Sequence, residues 1–222
     1  MKKRFMAKIV FASLLFGFIL FCFFFIQTLK RPRHVENVVN IQTNTIDTSK
    51  MRISSFEKIA GSKICVASCT LSQNFQGASS FSYEKETHSI NNYLFYDPAT
   101  SNSNWLVSEN VLFLDKTDFP QNSDPNKIKP IVASIYEFVD SDSTSDQSLS
   151  ESDSKVIAIS NPEGTKFTRL LKGVSEINST MYTPDEKIHI FYTMNNKLYI
   201  VVVDTKTHQI VRNNPVKPFS FK

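Results

Sequence analysis

An uncharged apolar stretch near the N-terminus, Ile9–Ile26 (IVFASLLFGFILFCFFFI), constrains this chain more than any other feature. Extended by Gln27, Thr28 and Leu29, it reaches about the 20 residues an α-helix needs to cross a hydrocarbon core. Lipid offers no partner for open backbone N–H and C=O groups, so a span of this kind has to be helical. The run exceeds the roughly 7–15 apolar residues of a cleaved signal peptide, and no small-x-small cleavage site follows it. Phe21 precedes Cys22, where a lipid-modification signal needs a small residue. The sequence therefore predicts a basic tail at 1–8, a transmembrane signal anchor at 9–29, a polar linker at 30–55 and a β domain at 56–222.

Charge follows the same division. Lys2, Lys3, Arg4 and Lys8 precede the run, and Lys30, Arg31 and Arg33 follow it. The positive-inside bias favours, by a thin margin, a cytoplasmic N-terminus and an exported domain. Setting these seven aside leaves 18 basic against 21 acidic residues, so the net charge of +4 belongs to the membrane flanks. Nucleic-acid binding needs basic residues gathered on the folded part, and that condition is not met.

Beyond the linker the pattern is that of strands. Ile64–Leu71, Tyr93–Tyr96, Trp105–Val107, Val111–Leu114, Ile131–Val139, Val156–Ser160, Phe167–Leu171, Ile188–Met194 and Leu198–Asp204 are short β-branched or aromatic runs separated by turn formers. Asn195-Asn196 is a two-residue hairpin signal, because Asn tolerates the positive φ of a type I′ turn. Asn161-Pro162-Glu163-Gly164 joins two further strands, with Pro fixing φ and Gly free to reverse it. No long segment outside the anchor has helical periodicity. The expected fold class is mainly β, an antiparallel domain behind a transmembrane helix.

An internal echo refines that expectation. LFYDPATSNSNWLV and IVVVDTKTHQIV each read as a strand, an Asp-x-x-Thr turn (Asp97/Thr100 and Asp204/Thr207) and a returning strand; AISNPEGTKFTRLL is a looser copy. Repeated hairpins of this type suggest β-propeller blades of roughly 40–45 residues. The region after the linker has room for three or four, which gives either a small or irregular propeller-like domain or an open sheet built from related hairpins. Turn chemistry common to many hairpins would give the same echo.

Cys65 and Cys69 leave the compartment open, and the plain reading is two small buried apolar residues. On one extended strand they lie about 13 Å apart, too far for a disulfide. On a helix or tight bend they could pair, and a metal role has no second pair of ligands to complete it.

Asp142–Asp153 (DSTSDQSLSESD) carries the one recognisable ion-site pattern. A twelve-residue EF-hand loop places oxygens at positions 1, 3, 5, 7 and 12. Asp142, Thr144, Asp146, Ser148 and Asp153 fall at those positions, with Leu149 as the one apolar residue in the stretch and Ser150 at position 9. Thr144 is neutral, Gln147 stands where Gly makes the sharp turn, and Asp153 is shorter than the usual Glu. The flanks read as strands. The stretch reads as a decayed loop of this type, as an ordinary acidic Ser-rich surface loop, or as a weak Ca2+ site; no cofactor is expected beyond that weak Ca2+, which if bound would stabilise a hairpin and not drive an opening.

NYLFYDPATSNSNWL, the IYEFVDSD strand entering the acidic loop, and KVIAISNPEGTKFTRLLKGVSEI together resemble a group of uncharacterised bacterial single-span membrane proteins. The resemblance runs from Tyr93 to the C-terminus. The resemblance implies a bacterial inner-membrane protein with a propeller-like exported domain, and it implies no reaction.

Catalytic patterns such as G-x-S-x-G, H-E-x-x-H and Gly-rich phosphate loops do not occur. His34, His88, His189 and His208 are scattered, and their expected place is the surface; Trp105 reads as a core aromatic closing a hairpin, with a recognition anchor as the alternative. The sequence favours a non-enzymatic, membrane-tethered interaction or scaffold module that binds another envelope protein. A weak calcium- or ligand-sensing domain is the alternative, and an envelope hydrolase rests on fold analogy alone.

Overall fold

The computed structural model describes residues 38–40, 51–73, 87–121 and 128–217. The predicted anchor at 9–29, its basic flanks and Cys22 lie outside the described residues. The chain divides into Met1–Val35 and Glu36–Lys222. Among the described residues no helix is long and apolar enough to cross a membrane.

The strands, in chain order, are Val38–Asn40 (β1), Met51–Ile53 (β2), Glu57–Lys58 (β3), Cys65–Gln73 (β4), Thr87–Asp97 (β5), Asn102–Trp105 (β6), Leu112–Phe119 (β7) and Ala133–Val139 (β8). Ser148–Ser150 (β9), Lys155–Ser160 (β10), Thr168–Val174 (β11), Glu176–Thr183 (β12), Lys187–Met194 (β13), Lys197–Asp204 (β14) and Ile210–Pro215 (β15) follow. All described pairings are antiparallel, as the sequence predicts.

These strands form three successive four-stranded meanders. In the first, β2 and β3 share one edge of β4 as an interrupted strand, and β5 and β6 follow. The second runs β7-β8-β10-β11 and the third β12-β13-β14-β15. A single pair, Ile90 with Phe113, joins the first meander to the second.

The pleat explains how they stack. Side chains alternate faces along a strand, so a sheet buried on both sides needs apolar residues at every position. Tyr136, Phe138, Val156 and Ala158 of the second meander face Tyr93 and Phe95 of the first in one core. Their neighbours Ile135, Ile157 and Ile159 face Ile188, Ile190, Tyr192, Val201 and Val203 of the third in another. KVIAIS is continuous in hydrophobicity because it lies between two sheets. Sheets of four strands packed face on face are the arrangement of propeller blades, and the domain is propeller-like in this sense.

The hairpin echo has a structural basis. Its three copies are β5-β6, β10-β11 and β14-β15, the last hairpin of each meander. Asp97 accepts from Ala99 N and Thr100 Oγ1, while Asp204 accepts from Lys206 N, Thr207 N and Thr207 Oγ1. Ser101 and His208, each four residues after the Asp, take positive φ of 58° and 57°. In the β10-β11 turn Gly164 N donates to Asn161 O, and Gly164 has φ of 73°. Asn195 and Asn196 take positive φ in the tight turn between β13 and β14.

Three expectations need correction. The stretch read as linker through residue 55 contributes β1 and β2, because Val39 and the Met51–Ile53 strand have sheet partners to join. The β12 and β15 strands escaped notice: EINSTMYT and IVRNNP are polar because they are edge strands with largely exposed side chains. Finally, β5 begins before Tyr93 and includes Asn91 and Asn92. Their buried amides bond Val111 O and Val107 O, substituting for ladder partners along the 106–111 connection.

Candidate functional site

The acidic loop connects β8 to β10 and closes on its own carboxylates. Asp153 is 2% exposed. Its Oδ1 accepts from Ser143 N (2.8 Å), Thr144 N (3.0 Å) and both of those hydroxyls. Its Oδ2 accepts from Ser150 N (2.9 Å) and Ser150 Oγ. Asp142 accepts from Gln147 N, Asp146 N and Thr144 Oγ1, and Asp146 accepts from Ser148 N. Thr144 thus bridges Asp142 and Asp153, whereas the Asp146 carboxylate bonds Ser148 N.

Backbone geometry agrees with the turn pattern. Ser145 and Gln147 have φ of 61° and 66°, so the residue at the glycine position of the loop does take the left-handed conformation. That conformation costs a non-glycine residue about 1–2 kcal/mol, which the converging N–H donors offset. The loop then runs into β9, where Leu149 pairs with Val39 of β1. Both are buried with Leu112 and Val139 in a small separate cluster. Leu149 pins the loop to the domain, as its isolation among polar residues predicts.

Electrostatics follow from these bonds. Burial pushes the Asp153 carboxyl up, but donors from Ser150, Thr144 and Ser143 together outweigh it and hold the group below the ordinary carboxylate range. Asp142 is likewise lowered, desolvation being outweighed by the amides of Gln147, Asp146 and Ser145. The loop is an anion nest, in which N–H groups surround carboxylate oxygens. A cation needs those same lone pairs, so it would have to displace the N–H donors to bind. No group of three His, Cys, Asp or Glu side chains among the described residues is placed to hold a metal ion.

Cys65 and Cys69 lie on one strand, β4, and are free thiols. Cys69 is fully buried, and its thiol is pushed up by that burial. His208, expected at the surface, is 3% exposed, with Nδ1 3.0 Å from Lys166 O. It ties the β14-β15 turn of the third meander to the β10-β11 turn of the second. His189 faces away from the core between Ile188 and Ile190 and is half-buried, while His88 lies in β5.

Trp105 reverses its expected role. It is 43% exposed, and the two residues after it, Leu106 and Val107, enter the core instead. Trp105 lies opposite Leu94, so it shares the face of β5 that turns away from Tyr93 and Phe95. Tyr96 is on that face, with its ring 5.8 Å from that of Phe56. Ile53, paired with Cys69, completes the patch, and Ile53 and Phe56 are 49% and 45% exposed. The sequence leaves the recognition-anchor reading of Trp105 as the second choice, because Trp105 and the buried Leu106-Val107 form one apolar run.

No family model and no curated protein matches this chain. Among solved structures it is similar to the β-propeller domain of the Trilobed protease from Pyrococcus furiosus, which is described as having an open velcro topology. The TM-score is 0.39 at 10% identity, covering 76% of this chain and 44% of that one. The chain thus spans less than half the length of that structure.

Proposed function

We propose that this chain is a single-pass, membrane-anchored, non-enzymatic interaction module of the bacterial envelope, its β domain on the exported side. The observation that carries the reading is the cluster of exposed Ile53, Phe56 and Trp105 beside half-buried Leu94 and Tyr96. Among the described residues nearly all other large aromatics pack into cores, while here exposed Trp105 and Phe56 flank the half-buried Tyr96. Trp and Tyr are the residues on which protein–protein recognition most often depends, and contiguous apolar patches mark interaction sites. The apolar run at 9–26 and its basic flanks support the anchor, and the thin charge bias supports export.

A photoreactive phenylalanine derivative at position 105 of the full chain tests the reading in intact cells. A discrete protein adduct that sediments with membranes is expected. Absence of any adduct at position 105, or recovery of the chain in the soluble fraction, would overturn it.

A further inference from the structure

Phe191 and Ile200 stand on the two central strands of the third meander, yet among the described residues they belong to none of the three apolar cores. The register explains it. Phe191 pairs with Ile200, while their chain neighbours Ile190, Tyr192 and Val201 turn into the core shared with the second meander. Phe191 and Ile200 therefore share the opposite face of the sheet. Leu198, two residues before Ile200, is on that face, and so is Met181, which pairs with His189. Leu198 and Met181 are 39% and 47% exposed, and Phe191 and Ile200 are half-buried. Val202, in the row of Met181 and His189, is buried and lies outside the open part.

We propose that this open part of the third meander docks on an anionic lipid surface. The proposal rests on the anchor reading above and adds a second contact to it, at a place other than the Trp105 cluster. Charge selects the partner. Arg212 pairs with Val202 and so shares the face, and exposed Lys197 and Lys217 stand beside Leu198, where β14 begins and β15 has just ended. None of these three cations has an ion pair among the described residues. Glu176, paired with Thr193, is the acid at that end. At the far end the charges cancel locally, Lys187 with Asp185 and Lys206 with Glu186. An apolar centre rimmed by unpaired cations is the composition of an interfacial surface: apolar side chains enter the acyl boundary and basic ones meet the headgroups.

Tethering makes a weak contact of this kind effective. A chain held by the apolar run at 9–26 keeps its domain near one bilayer, so docking is an intramolecular step at high effective concentration. Lys and Arg lay their stems along apolar surface while the charge stays with the headgroups, so Arg212 can flank the apolar centre without being buried. Met181, Phe191, Leu198 and Ile200 stand on strands fixed by their ladders, so the face needs no reorganisation to meet the lipid. The second meander lies between this face and the first, so lipid contact here leaves the Trp105 cluster available to a protein.

The chain has one tryptophan, Trp105, so Trp105→Phe combined with Leu198→Trp moves the single fluorophore to the face. The full chain with both changes is reconstituted into vesicles with brominated acyl chains, of phosphatidylcholine alone or with phosphatidylglycerol added. Bromine should quench the fluorophore at position 198 in the anionic vesicles and far less in the zwitterionic ones, and Met181→Trp in place of Leu198→Trp should behave alike. Trp105 of the parent should stay unquenched in both. Adding Arg212→Gln should lower the docked-to-undocked ratio about fivefold in the anionic vesicles. Thermal unfolding of these variants should match the parent, since Met181, Leu198 and Arg212 are exposed. A chain that floats with the vesicles but shows no quenching at either position would overturn the docking and leave the anchor reading in place. Equal quenching in both lipids would overturn an anionic surface as the partner, and quenching of Trp105 in the parent would overturn the choice of face. A photoreactive phenylalanine derivative at position 198 that captures only protein in intact cells would overturn lipid as the occupant. A chain that does not float with vesicles at all would overturn the anchor reading and the docking together.

Discussion

Gly164 lies so close to Phe95 that a Cβ added to it would sit 2.4 Å from both Cδ2 and Cε2 of the ring. The contact joins the β10-β11 turn of the second meander to the core strand β5 of the first. Phe95 is fully buried, so its ring has nowhere to retreat. Gly164 also holds φ of 73°, so one residue meets both a conformational and a packing demand.

Gly164→Ala should therefore destabilise the domain by about 3 kcal/mol, the sum of a left-handed backbone penalty and core overpacking. Gly173 provides the control. It has φ of 75° but nothing within 4 Å of an added Cβ, so Gly173→Ala should lose only about 1 kcal/mol. Chemical denaturation of both variants checks the difference. Equal losses would mean that the Phe95 contact contributes nothing.

Leu149→Ala addresses the anchoring of the acidic loop. Leu149 is 1% exposed and packs with Val39, Leu112 and Val139, so truncation should cost about 3 kcal/mol if the cluster cannot collapse. The same change should raise proteolytic cleavage within residues 142–153, because the β1-β9 ribbon holds the end of that loop. Unchanged cleavage would separate the loop from the ribbon.

Much of this arrangement was legible in the chain, and the exceptions have physical reasons. The hairpin echo located the last turn of all three meanders, since Asp and Asn side chains specify the turn locally. KVIAIS and IHIFYTM announced strands, one buried on both faces and one alternating. Edge strands such as β15 escaped because exposure removes the apolar pattern on which recognition depends. The acidic loop kept its turn geometry and its Leu149 anchor, but ligand spacing does not specify whether carboxylates gather around an ion or accept N–H groups. Trp105 was misplaced because a strand run of three residues does not say where the strand ends.

Asp153→Asn should lower stability near neutral pH by about 2 kcal/mol, because hydrogen bonds to a buried charge are stronger than those to a neutral amide. Linkage gives a second signature. The folded-state pKa of Asp153 is depressed below its ordinary value of 3.8, so its contribution is fully present above that value and is lost as pH falls toward the folded pKa. Asp142, Asp97 and Asp204 are depressed too, and Asp185, held by Lys187 and Thr183, falls to about 2. The parent should be insensitive to pH from about 5 to 7 in these groups and weaken below about 4. The Asn variant should show a shallower acid slope. Calcium titration on the parent offers an independent check: a thermal shift at millimolar calcium would show that the ion can displace the loop's N–H donors.

Glu137 should behave in the opposite sense. Desolvation pushes its carboxyl up, and Asp115, directly opposite on β7, adds to the effect, with Lys155 partly countering it. Because the folded pKa is raised, the protonated form suits the fold, and stability from this group is present below the unfolded pKa and lost as pH rises through the folded one. Glu137→Gln keeps the shape and removes the charge. The variant should be more stable than the parent at pH 7, and the difference should shrink steadily on acidification and vanish below about pH 4. Unfolding curves for both proteins across pH 4–8 measure this directly. A variant less stable than the parent at pH 7 would mean that the ionised carboxylate is held by Lys155 more strongly than burial disfavours it.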